Sequence, residues 1–295
     1  MAAPRQVWHT RFAALDPLLR PVPLPRGVPL ATGPDFGVLT RTAVAPTSWQ
    51  ALWGASVTYR LSAVPGADAV GGMRALLEAW EARRPGDPER DSVRVVTWPS
   101  RDLAIAEVLL AKGFVPEIVL AVRRSAPSPC HRVPGVGVRA AREADIEEIV
   151  ALRLAELEYA ALVGPSVRRP GAAALLATET RRGLRFGARV LIADRDGVAA
   201  GLVAFGGSGG TPSGGDGRLP EGRWGHLGTL AVSPAGRGHG IGRTLAAAAH
   251  RELDLPGVRG TFLYYHPANP LSTVFWHRQG YRPLWTTWAR RHQAG

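Results

Sequence analysis

The sequence predicts a mixed α/β fold of two tandem units, each a central mixed sheet flanked by helices, and three observations predict it. The C-terminal half runs strand, glycine-rich turn, helix, strand, helix, strand. The N-terminal half repeats the closing strand-helix-strand step. Between them lies Ser125-Ala-Pro-Ser-Pro-Cys-His-Arg-Val-Pro-Gly-Val-Gly137, a composition suited to an exposed linker. The expected division is a first unit at residues 1–126, a linker at 127–137 and a second unit at 138–295.

In the first unit, Val93 to Trp98 alternates like a strand, Asp102 to Lys112 reads as a helix capped by Asp102, Gly113-Phe114 ends it, and Ile118 to Val122 returns as a strand. Placing Gly113-Phe114 over Gly280-Tyr281 sets Asp102 over Asn269 and Leu109 over Trp276, which suggests an internal duplication. In the second unit, Val138 to Arg142 is a short strand and Asp145 an N-cap. Glu147 and Glu148 then favour a helix through about Leu162. A helical stretch follows at Ala172 to Arg181, then a hairpin of Arg189–Ala193 and Val198–Phe205 around Asp194-Arg-Asp-Gly197. Residues 206–222 form a loop that is either disordered or a mobile flap beside a site. Beyond it come strand Trp224–Val232, helix Ile241–Leu253, strand Val258–Tyr265, helix Leu271–Gln279 and strand Tyr281–Arg290.

Composition narrows the function. With 45% apolar and 20% charged residues the chain is foldable and soluble. Its longest apolar runs fall far short of the roughly 20 residues of a membrane span, and Met1 to Leu19 lacks the apolar core of a secretory signal. A cytoplasmic protein without membrane partners is expected. The lone Cys130 sits in the linker, where a nucleophile would be poorly held. The net charge of +12 is carried almost wholly by arginine, Lys112 being the single lysine, and the basic residues form no block or stripe. That counts against nucleic acid as a partner. The histidines lack metal-ligand spacing with cysteine or carboxylates, so no metal is expected.

The strongest motif is Leu230-Ala-Val-Ser-Pro-Ala-Gly-Arg-Gly-His-Gly-Ile-Gly-Arg-Thr-Leu245. A strand ends at Val232, and a turn containing Arg237, Gly238, Gly240 and Gly242 opens directly onto a helix. Glycines let backbone N–H groups approach an anion, and the helix N-terminus adds unpaired donors and a positive dipole end, a combination suited to a pyrophosphate. No Gly-Lys-Ser/Thr closes the turn, and its spacing is not that of a dinucleotide fingerprint.

Val232-x-Pro-x-x-Arg-Gly-x-Gly-Ile-Gly242 resembles motif A of the GNAT superfamily of N-acetyltransferases, and Asn269-Pro-Leu-Ser-Thr-Val-Phe-Trp-His-Arg-Gln-Gly-Tyr281 resembles its motif B. The resemblance covers about Val138 to Arg290. It implies acetyl-CoA as acyl donor. Arg237, Gly238, His239, Gly240, Ile241, Gly242 and Arg243 would hold the pyrophosphate. Main-chain groups around Leu230, Ala231 and Val232 would pair with the pantetheine arm, with Asn269 beside it. In the first unit the matching stretch Leu61 to Arg74 has Ala69 at the arginine position, Arg74 at the last glycine and Asp68 adding negative charge. That half is expected to be a degenerate unit without a phosphate cradle, an architecture shared by tandem members of the family.

Acylating an amine requires the neutral nitrogen. Deprotonating a lysine-like amine at pH 7 costs about 4.6 kcal/mol, against about 1.4 kcal/mol for an α-amine. On strand 224–232 the two-residue period puts residues 226, 228, 230 and 232 on one face, and His226 is the titratable side chain among them. His226 stands where the family commonly has a catalytic glutamate, and it is the expected base. Trp276 occupies the position where family members often have a tyrosine acid; an indole N–H delivers no proton to sulfur. The expected activity is transfer of acetyl from acetyl-CoA to a primary amine of a small molecule or peptide in a ternary complex. The alternatives are a non-catalytic acyl-CoA-binding module and an aminoacyl-tRNA-directed acetyltransferase, and a homodimer is left open.

Overall fold

The computed structural model describes residues 2–83, 91–126, 131–207 and 217–291. The first unit comprises α1 (Ala2–Leu15), β1 (Val28–Thr32), β2 (Asp35–Ala43), a 3-10 turn (Trp49–Trp53), β3 (Val57–Val64), α2 (Ala69–Ala82), β4 (Ser92–Pro99), α3 (Leu103–Ala111) and β5 (Val115–Arg124). The second comprises β6 (Val136–Ala140), α4 (Ile146–Val163), α5 (Ala172–Arg185), β7 (Arg189–Arg195), β8 (Val198–Gly207), β9 (Arg223–Val232), α6 (Ile241–Leu253), β10 (Val258–Tyr265), α7 (Pro270–Arg278) and β11 (Arg282–Arg291). Cys130 and residues 208–216, the middle of the expected loop, lie outside the described residues.

The two units share one eleven-stranded sheet in the order β1-β2-β3-β4-β11-β5-β10-β9-β8-β7-β6. The parallel pairs β3/β4 and β9/β10 are each joined by a crossover helix, α2 and α6, as parallel strands require. At the centre the units exchange their last strands: β11 pairs with β4 and β5 sits against β10, all antiparallel. The duplication inferred from sequence recurs here, since α3 and β5 map onto α7 and β11 with one constant offset, Leu103 to Pro270 and Arg124 to Arg291.

The strands around the site are buried on both faces. Val203 of β8, Leu227 of β9 and Leu263 of β10 pack with Ile241 and Leu245 of α6. Leu202 of β8 and Ala231 of β9 pack on the other side with Ile149 and Leu152 of α4. Alternation along β9 is broken, because Val203 pairs with Leu230 but Phe205 pairs with Leu227. Residues 228 and 229 therefore face Ala204 together as a β-bulge. Leu227 and Leu230 share the α6 face, while His226 points to the α4 face with Ala231. The expectation that residues 226 to 232 present alternate side chains to one face is corrected by this inserted residue.

Two expected caps also change character. Asp102 precedes α3 but makes no side-chain cap bond. Its carboxylate, 4% exposed, instead accepts from Arg11 (2.7 and 2.9 Å) and from Trp98 Nε1 (2.9 Å). Asp145 precedes α4 and likewise leaves the helix N–H groups alone, accepting from the guanidinium of Arg139 and the backbone N–H of Arg142. Charge-assisted bonds to arginine outcompete neutral backbone donors.

Candidate active site

The strand-to-helix turn after β9 forms a concave cradle. Gly238 and Gly240 adopt φ of +79° and +80°, left-handed values that a side chain would strain. The first helical bond runs from Thr244 N–H to the Gly240 carbonyl, so the N–H groups of Ile241, Gly242 and Arg243 precede the helix ladder and mark its positive end. Phe275 of α7 and Leu230 of β9 close against Gly242. Arg237 lies over the Tyr159 ring, 5.1 Å from its centroid, which links the cradle to α4. The His239 ring turns back to the Arg237 carbonyl (2.8 Å) and is exposed, away from the cradle wall. The first unit differs at the same place. Helix α2 begins at Ala69, its N-terminus is capped by Asp68 accepting from Gly71 N–H (3.0 Å), and the buried Asp35 carboxylate takes Gly66 N–H (2.7 Å) and packs against Gly72.

Beside the cradle the sheet opens. β9 and β10 pair from Arg223/Val258 to His226/Phe262 and then part. His226 stands at the apex of that gap, stacked on Phe262 and 6.3 Å from the Tyr264 ring in an edge arrangement. Burial pushes its pKa below the usual 6.5, so the imidazole is neutral at pH 7. The gap belongs to a cleft of about 1280 Å³ that reaches from the α6 N-terminus, past Leu230, Ala231 and Val232, to α4, α5, Trp49 and Trp53. Arg237, Gly238, Gly240, Ile241, Gly242, Arg243, His226 and Asn269 all line it. Asn269 uses its side-chain oxygen to cap α7, accepting from Leu271 and Ser272 N–H (3.0 and 3.1 Å). Trp276 is buried against Tyr281 and Phe275 in the core and also borders the cleft.

Sequence reasoning missed Glu156. It lies on α4, lines the same cleft, and keeps Oε2 buried without a hydrogen-bond partner among the described residues. The signal was present: Ile149, Leu152, Arg153, Glu156 and Ala160 repeat at helical spacing, which puts a carboxylate on a stripe otherwise facing the sheet. Among the described residues no group of three or more His, Cys, Asp or Glu side chains gathers as a metal site, and no helix is long and apolar enough to cross a membrane.

The fold and cleft define a mixed α/β protein with a glycine-framed helix N-terminus opening onto a splayed parallel strand pair. Residues 156–281 match the model of the acetyltransferase (GNAT) family, so that stretch is similar to a domain of that family. Among solved structures, a GCN5-related N-acetyltransferase from Sphaerobacter thermophilus is 14% identical with a TM-score of 0.54, covering 89% of this chain and 78% of that one. A tandem GNAT protein from the clavulanic acid biosynthesis pathway is 17% identical with a TM-score of 0.50, covering 99% and 95%. At such identities the likeness is one of fold, and the second extends it to the tandem layout. No curated protein matches the chain in sequence.

Proposed function

We propose that the protein is an acyl-CoA-dependent N-acyltransferase that moves acetyl from acetyl-CoA to a primary amine of a small molecule or peptide. The observation that carries this reading is the continuity of the cradle with the through-sheet cleft at whose apex His226 stands. The residues fit such a donor: two left-handed glycines and unpaired helix N–H groups suit a pyrophosphate, with Arg237 and Arg243 adding charge. Leu230, Ala231 and Val232 have lost their β10 partner and offer backbone groups to an extended arm, with Asn269 at the start of α7 opposite. When bound, the donor supplies a thioester carbonyl to the gap.

His226, neutral and desolvated, takes the proton that an ammonium must shed before its nitrogen can attack. A thiol-like leaving group with a pKa near 8.5 departs without a dedicated acid, which agrees with an indole, Trp276, standing where an acid would be expected. In this reading the second unit does the chemistry, the expected linker 127–137 gives up Val136 and Gly137 to β6, and 1–126 are a degenerate unit whose helix end is filled by Asp68 and Asp35.

Calorimetric titration with acetyl-CoA tests it. One site per chain is expected, followed by thiol release with members of an amine panel. Two sites overturn the degenerate first unit, no binding overturns the whole reading, and binding without turnover leaves an acyl-CoA-binding module.

A further inference from the structure

We propose that Glu156 is the anionic anchor of an acceptor subsite on the α4 side of the cleft, selecting amine cations that carry an apolar or aromatic body. This rests on the acyltransferase reading and deepens it. A carboxylate oxygen withdrawn from water without a partner is costly, and a cation from solution is what would complete it.

Among the described residues, no cation of the cleft wall hydrogen-bonds the buried Glu156 Oε2. Arg153, one turn earlier, donates to Glu179 and to Thr180 (3.0 Å). Its Nε is also buried and unpartnered among the described residues, and Arg153 lines the same cleft. Arg189 pairs with Glu252, and Arg237 is held over Tyr159. Arg243 stands at the cradle and Arg278 on α7. His226 and His266 are both shifted by burial toward the neutral form. The cleft wall also carries apolar side chains such as Ile149 and Leu202 and aromatic rings, Trp49 and Trp53 from the first unit and Tyr159 and Tyr264 from the second. An unpaired carboxylate oxygen in a cleft that also carries apolar and aromatic walls suits an ammonium with an apolar body. It also gives the first unit a role, that of supplying part of the acceptor wall.

Loss of hydration pushes the Glu156 carboxyl up to about 7, with the Arg153 charge opposing it only in part. The anion that binds an ammonium is therefore present above about pH 7 and lost below it.

The test uses 2-phenylethylamine and its neutral isostere 2-phenylethanol, titrated into the full chain saturated with coenzyme A. At pH 8 the amine is expected to bind wild type about tenfold or more tightly than Glu156→Gln, with Glu156→Asp intermediate. Phenylethanol should not distinguish the proteins, and amine affinity in wild type should fall between pH 8 and pH 6. Unchanged coenzyme A affinity in Glu156→Gln reports an intact fold. If that affinity is lost, the wild-type pH comparison decides, and equal amine binding at both pH values overturns the proposal. Equal binding to wild type and a folded Glu156→Gln overturns it as well, and points to a structural role beside Arg153. So does an amine that fails to bind wild type already holding coenzyme A. Failure of wild type to bind coenzyme A removes the acyltransferase reading and this proposal with it.

Discussion

His226 and Phe262 stack with ring centroids 4.8 Å apart and planes 26° from parallel, and they are the last residues through which β9 and β10 pair. The contact removes water from the imidazole and holds it at the mouth of the gap. The neutral ring is the form that accepts a proton, so turnover is present above the His226 pKa and lost as pH falls through it. With that pKa pushed below 6.5, the acid-side fall in kcat lies below pH 6.5. His226→Ala is expected to lower kcat by about 100-fold or more and to flatten that limb, with acetyl-CoA affinity retained. A variant that loses coenzyme affinity and turnover in equal measure would remove the role assigned to this side chain.

The two left-handed glycines of the cradle separate conformational strain from ligand exclusion. A Cβ at Gly238 meets no protein atom within 4 Å, so Gly238→Ala should cost about 1 kcal/mol of stability through its φ alone, and any loss of coenzyme affinity beyond that reports contact with the ligand. At Gly240 a Cβ would approach Val133 Cγ2 (3.0 Å) and His131 Cε1 (3.3 Å), and an aspartate adds negative charge at the anion site. Gly240→Asp should abolish acetyl-CoA binding in calorimetry. Full retention of binding there would place the pyrophosphate elsewhere.

Much of this was legible in the sequence, and the parts that were not share a cause. Helix Ile241–Leu253 and strand Val258–Tyr265 were read to the residue, because apolar periodicity and a flanking Gly turn are local signals. The exchange of β5 and β11 was not, since both strands alternate alike and partner choice depends on residues far away in sequence. The bulge at residues 228–229 was invisible to a two-residue count, although Gly228 is the kind of residue that marks one. Asp102 and Asp145 occupy the positions predicted for caps, but the arginines that claim them come from Arg11 and Arg139, outside the helices they precede. Glu156 was not singled out, because the burial of a carboxylate oxygen in the cleft depends on residues far away in sequence.

The exchanged strand is fastened to the first unit by a buried ion pair. Asp16, 2% exposed, accepts both guanidinium nitrogens of Arg282 at the start of β11 and the N–H of Leu18 at 2.9 Å. Arg282→Met removes the nearest cation from that carboxylate, leaving it the Leu18 N–H and the more distant Arg101 (3.8 Å), and should cost at most about 3 kcal/mol, the low end for a broken buried pair. Since β11 lies between β4 and β5, urea denaturation should show both units losing stability in a single transition. Two separate transitions, with only one displaced by Arg282→Met, would contradict a shared sheet that folds as a unit.

Two buried groups pull the pH dependence of stability in opposite directions. His250, 2% exposed and bonded to Tyr281 Oη (2.9 Å), has its pKa lowered to about 4 by burial, reinforced by the Arg123 charge. Between pH 6.5 and 4 the unfolded chain takes up a proton that the folded chain refuses, so this contribution is complete above pH 6.5 and falls by about 3 kcal/mol on acidification to pH 4. His226 and His266, also lowered by burial, add on the same side. Glu156, raised from 4.5 to about 7, acts the other way: the folded chain holds a proton that the unfolded chain releases, and stability falls as pH rises from 4.5 to 7. The windows overlap, so wild type should show a muted profile in urea midpoints measured from pH 4.5 to 7. Glu156→Gln should unmask a steep gain in stability with rising pH. His250→Gln should leave a profile that is flat or falls with rising pH. If both variants track the wild-type profile, neither group sets the acid stability of the fold, and the environment assigned here to each is wrong.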